Sequence, residues 1–147
     1  YSWGVLHHTG NMWRAMENAA GLVDRDGRLF IALYNDQGAK SRMWWRVKNA
    51  YCSSLPGKIL VCSVFVPYFF FAALITSAAT QQNLFRSYKA NRGMSIVHDW
   101  IDWLGGFPFE VAKVEDVIHF FRMKGFALEN IKTTPGLGNN QFVFSKK

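Results

Sequence analysis

Between Lys58 and Arg86 the chain carries no charged residue, and the stretch 59–80 (ILVCSVFVPYFFFAALITSAAT) is almost wholly apolar. Such a run has to leave water, whether into a core, a partner or lipid, because exposed apolar area forfeits its transfer free energy. As one helix it is long enough to cross the ~30 Å hydrocarbon layer of a bilayer. Pro67 falls inside it, however, and both flanks are basic rather than one, which argues against a simple span. Three arrangements stay open: an interfacial or re-entrant segment returning to one face of an anionic membrane, a buried helical lid, and a true span. Trp44, Trp45 and Tyr51, just upstream, are aromatic anchors of the interfacial kind.

The surrounding charge is segregated. Residues 37–98 hold eight bases (Lys40, Arg42, Arg46, Lys48, Lys58, Arg86, Lys89 and Arg92) and no acid, whereas the rest holds nine bases against ten acids. A nearly neutral framework therefore carries one basic segment. An anionic membrane surface is the partner this suggests. Nucleic acid is not expected, because the bases bracket an apolar run instead of interleaving with polar and aromatic groups along a groove. Cys52 and Cys62 are too few and too widely spaced for a disulfide scaffold or a metal motif, so no metal is expected and a reducing, cytoplasmic location is. The opening residues lack a secretory-signal pattern. With no initiator Met, further chain upstream is expected.

The framework on either side reads as α/β. Residues 1–6 fit the end of a buried strand. Asn11 offers an N-cap to an amphipathic helix over 12–23, where Met12, Ala15, Met16, Ala19, Leu22 and Val23 recur at helical spacing. Asp26-Gly27 breaks that helix. Residues 29–34 (LFIALY) show no alternation, as in a central strand covered on both faces. A second helix runs through Val114, Val117, Ile118 and Phe121 to a closing Gly125. A strand through Ile131, a turn at 135–140 and a strand at 141–145 end the chain in an antiparallel pair. The expected sheet is mostly parallel and ends in an antiparallel strand. The expected division is a core part at 1–36, a basic and apolar helical insertion at 37–112, and the closing part of the core at 113–147.

These residues carry a resemblance. The segment YSWGVLHHTGNMWRAMENAAGLVDRDGRLFIALYNDQG resembles the fourth strand, following helix and fifth strand of class I S-adenosylmethionine-dependent methyltransferases. The tail, from KVEDVIHFFRMKGFALENI to NNQFVFS, resembles their closing helix, sixth strand and antiparallel seventh strand. The likeness looks closest to bacterial quinone-type and small-molecule O-methyltransferases. It implies the C-terminal half of a Rossmann-like sheet, with S-adenosylmethionine as cofactor and a small hydrophobic or lipid-linked acceptor. It also implies a missing N-terminal half, because the glycine-rich turn after the first strand and the ribose-binding acid after the second have no counterpart here. Gly136-Leu137-Gly138 precedes a strand and not a helix, so it cannot stand in. The alternative is a non-catalytic module that binds membrane or protein.

The resemblance places Ser2, Trp3 and Gly4 beside the methionine part of the cofactor. Ligands in open α/β sheets do collect at the carboxyl ends of strands. Tyr34 and Asn35, ending the second strand, lie on the same rim and are substrate candidates. His7 and His8 follow the first strand, and an adjacent pair on extended or helical backbone directs at most one ring to a site. Within 95–113 (SIVHDWIDWLGGFPFEVAK), His98 and Asp102 share a helix face at i and i+4 and are the candidate catalytic base and its orienting carboxylate. Asp99 and Trp103 are further substrate candidates, with Trp100 and Trp103 forming an aromatic wall.

Overall fold

The backbone alternates between strand and helix for the first 36 residues, turns wholly helical, and returns to α/β after Pro108. A computed structural model describes residues 1–93 and 95–147, and the side chains of Arg86, Lys89, Asn91 and Arg92 are also outside the described residues. Three of the eight bases thus have no described side-chain position. Two compact units form: Tyr1–Trp45 with Pro108–Lys147, and Arg46–Phe107.

In the first unit, strand β1 (Ser2–Trp3) leads through a short 3-10 turn (Leu6–His8) into helix α1 (Met12–Gly21) and strand β2 (Arg28–Tyr34). The Asn11 side chain accepts from the Arg14 N–H and caps α1. Met12, Met16 and Ala20, one turn apart, form the buried stripe of α1. After the helical stretch come α6 (Val114–Met123), β3 (Phe126–Lys132) and β4 (Asn139–Lys146). Gly125 closes α6 at φ 80°, a left-handed position that a side chain resists. His119 stands exposed on the outer face of α6.

The four strands lie in the order β1-β2-β4-β3. β1 pairs parallel with β2, while β4 runs antiparallel to both β2 and β3, so β1, β2 and β3 share one direction. The sheet is mixed, and the expectation of a mostly parallel sheet holds for strand direction but not for pairing. The antiparallel strand ends the chain yet sits inside the sheet, because β4 returns from the hairpin into the gap between β2 and β3. Leu29, Ile31 and Leu33 alternate onto one face of β2. They meet Phe142 and Phe144 of β4, and the α1 and α6 stripes close the core over them. The Phe121 ring stacks on Phe144 at 4.5 Å at its centre. Losing one such buried ring would cost ~3–5 kcal/mol.

The helical stretch comprises α2 (Ala39–Ser53), α3 (Leu55–Thr80), α4 (Leu84–Arg92) and α5 (Ile96–Gly105). Ser54 caps α3 by accepting from the Gly57 N–H, and the helix continues through Pro67. It is the one helix among the described residues long and apolar enough to cross a membrane, and only 11% of its most apolar stretch is buried. In the second unit α5 packs on α3, with Phe69 5.8 Å from the Trp100 ring and 6.1 Å from the Trp103 ring.

Candidate functional site

The carboxyl ends of β1 and β2 are held by a strap, residues 108–112, that arrives from more than seventy residues downstream. Glu110 N donates to His7 O at 3.0 Å, Ala112 N to Tyr34 O at 3.0 Å, and Asp36 N to Ala112 O at 3.1 Å. The Glu110 carboxylate accepts from Met12 N at 3.1 Å, so the strap also caps α1. Its second oxygen, Oε2, is buried without a hydrogen-bond partner among the described residues. Nothing local in the sequence marks this strap, because its partners lie so far away.

Gly4 directly follows β1 at φ 69°, with open space where a Cβ would stand. The left-handed backbone accounts for the glycine, and no close approach is present among the described residues. Trp3 stacks on Phe30 at 5.8 Å and remains 46% exposed, so it is a rim residue and not a core one. Ser2 is half-buried beside Ile31 in the register. All three cofactor candidates thus stand at one edge of the sheet.

The two histidines depart from expectation. They sit in the 3-10 turn that follows β1, and both rings reach Tyr34. Ring centroids are 4.0 Å apart for His7 and 5.5 Å for His8. His7 is fully buried, and its Nδ1 accepts from Tyr34 N at 3.3 Å. His8 is half-buried, and its Nδ1 lies 2.7 Å from Pro108 O. A carbonyl can only accept, so His8 Nδ1 is the donor in this contact, and in the neutral ring the lone pair falls on Nε2. Phe109 completes the group at 5.1 Å from Tyr34.

Asn35 lies next to Tyr34 but is committed elsewhere. Its Nδ2 donates to Thr134 O at 2.9 Å and Gly136 O at 3.2 Å, and its Oδ1 accepts from Asn140 Nδ2 at 3.1 Å. With both amide hydrogens engaged, it clamps the β3–β4 turn to the end of β2 and has no donor left for a substrate.

The remaining candidates belong to the second unit. His98 and Asp102 both stand exposed on α5, and no hydrogen bond joins them among the described residues. Trp100 and Trp103 point the other way, toward Phe69, so the pair has no aromatic wall. The helical period causes this, since 100 and 103 share a face that 98 and 102 do not. Asp99 accepts from the Tyr88 hydroxyl. Trp103 is covered by Lys48, whose Nζ lies 4.3 Å from the ring centroid and donates to the Trp103 carbonyl. Burial draws Lys48 down to about 8, while Cys52 one turn on pulls the other way. Among the described residues no group of three or more His, Cys, Asp or Glu is placed to hold a metal ion. Comparison with protein-family models, curated proteins and solved structures finds no match for this chain.

Proposed function

We propose that the chain is the C-terminal part of a class I S-adenosylmethionine-dependent methyltransferase that acts on a small hydrophobic or lipid-linked acceptor. One observation carries the reading: strands β1, β2 and β3 share a direction while β4 opposes them, the strand sense that the resemblance implies for strands four to seven. The outer edge of β1 has no strand partner among the described residues, and Tyr1 and Trp3 are exposed beside it. That is where the glycine-rich half of such a sheet would pair.

On this reading the methionine part of the cofactor lies against Ser2, Trp3 and Gly4, and the acceptor against Tyr34. Bound S-adenosylmethionine supplies an electrophilic methyl group, and the protein's part is to orient the acceptor and take its proton. His8 fits the base better than His98, because Pro108 O fixes its tautomer while His98 has no orienting partner among the described residues. The protein would work at the cytoplasmic face of a membrane as a peripheral protein. Its two free cysteines and the apolar helix α3 agree with that location.

The test is transfer of labelled methyl from S-adenosylmethionine to isoprenoid-bearing phenols by the polypeptide that joins this chain to a glycine-rich half. His8→Ala should lower turnover by about 10²-fold or more and His98→Ala by much less. A larger loss in His98→Ala than in His8→Ala would return the base to α5, and a glycine-rich half that binds a different nucleotide would overturn the reading.

A further inference from the structure

The two ends of the helical stretch leave and rejoin the sheet at one point. Asn35 and Ala112 form a parallel bridge, and backbone hydrogen bonds tie Asp36 and Tyr34 to Ala112 on either side. A single crossing by α3 would put these residues on opposite sides of a ~30 Å hydrocarbon layer. A hydrogen-bonded bridge forbids that. A second crossing would fall to residues 37–54, which carry Lys40, Arg42, Arg46 and Lys48, or to residues 81–107, which carry Arg86, Lys89, Arg92, His98, Asp99 and Asp102, and hydrocarbon rejects that density of ionisable groups. Membrane contact therefore comes from one side only.

A helix that contacts lipid from one side lies in the plane of the surface, and it ordinarily needs a polar face turned to water. α3 has none of its own. Packing in the second unit supplies it. Val61 and Ala73 are buried on the side of α3 that carries Phe69 toward α5, and His98 and Asp102 stand exposed on the outer face of α5. Away from α5, Leu60, Val64, Tyr68, Phe71 and Ile75 are exposed, and their three- and four-residue spacing makes them one stripe. The hydroxyls of Ser63, Thr76 and Thr80 donate to carbonyls of α3 itself, each at 2.8 Å. A lipid environment demands such internal satisfaction, and a wet protein interface does not. The acid-free window 37–98 and Lys58 at the start of the helix select an anionic surface.

We infer that α3 seats this protein on an anionic bilayer as a monotopic helix lying in the membrane plane, with α5 as its water-side cover. This deepens the membrane side of the proposed function and does not depend on methyl-transfer chemistry.

The experiment uses the full chain with phosphatidylcholine–phosphatidylglycerol vesicles and reads flotation, so a failure of the enzyme reading leaves it intact. Binding should weaken with salt but persist. The exposed-residue variant Val64→Ser/Phe71→Ser/Ile75→Ser should keep its circular dichroism and partition about 100-fold or more less strongly. For topology, Gln82→Cys in a Cys52→Ala/Cys62→Ala chain should react with an impermeant maleimide added outside intact vesicles. Labelling only after detergent would mean a span and overturn the inference. So would a triple variant that floats like the parent, or a chain that stays off anionic vesicles at low salt and self-associates instead.

Discussion

Asn35 is the residue whose role depends most on distant partners. Removing its amide in Asn35→Ala strands the Thr134 and Gly136 carbonyls and Asn140 Nδ2. Lost hydrogen bonds of this kind cost ~1–3 kcal/mol for each group left unsatisfied. The variant should therefore unfold in urea with a stability lower by about 2 kcal/mol or more, whatever its effect on substrate. Lys48 makes the opposite case, as a base in a basic segment that is nevertheless fully buried. Its folded value of about 8 lies below the 10.5 of an unperturbed lysine. Between those values the unfolded chain holds more protons than the folded one, so stability should rise with pH across that window, by up to ~3 kcal/mol. Below about pH 8 the cost is present in full. Urea midpoints on either side of the window should differ in the parent chain, and Lys48→Met should flatten the difference. The neighbours of Lys48 in sequence gave no sign of this burial, because Trp103, which covers it, is supplied by another helix.

Among the elements, those with local causes were readable and those with distant causes were not. Helix α1 begins where Asn11 caps it and buries Met12 and Met16 of the stripe its periodicity announces, but it ends at Gly21 and leaves Leu22 exposed. Gly125 ends α6 in the left-handed conformation that only its own lack of a Cβ makes easy. The α2–α3 corner is different. A Cβ on Gly57 would stand 2.2 Å from the Ala50 carbonyl oxygen, a backbone atom that cannot swing aside. Gly→Ala within a helix ordinarily stabilises by ~1 kcal/mol. Here Gly57→Ala should instead destabilise by about 1–3 kcal/mol, the range of an overpacked site, and thermal unfolding followed by circular dichroism would read the sign. The strap at 108–112 escaped sequence reading altogether. Its bonds to His7, Tyr34 and Asp36 are tertiary, and it braces the turn from which His7 and His8 both reach Tyr34.

At the scale of the molecule the charge segregation and the two units nearly coincide, since most bases of the acid-free window fall in Arg46–Phe107. The first unit offers strand ends but no glycine-rich turn leading into a helix. We expect calorimetry with S-adenosylmethionine to show no binding at micromolar levels for this chain alone, and a micromolar isotherm would mean that the strand correspondence is misassigned. The sequence by itself determined the strand–helix–strand opening, the closing helix and strand pair, how the charge divides, and that residues 59–80 must leave water. Each of these follows from the periodicity, the caps and the composition of neighbours a few positions away. Only the tertiary structure decided that β4 enters the sheet between β2 and β3, that the helical stretch begins and ends at one hydrogen-bonded point, and that α3 is covered on one side only. Those outcomes depend on contacts between residues 35 and 112, or 69 and 100, and loop closure over such distances leaves no mark on the local pattern.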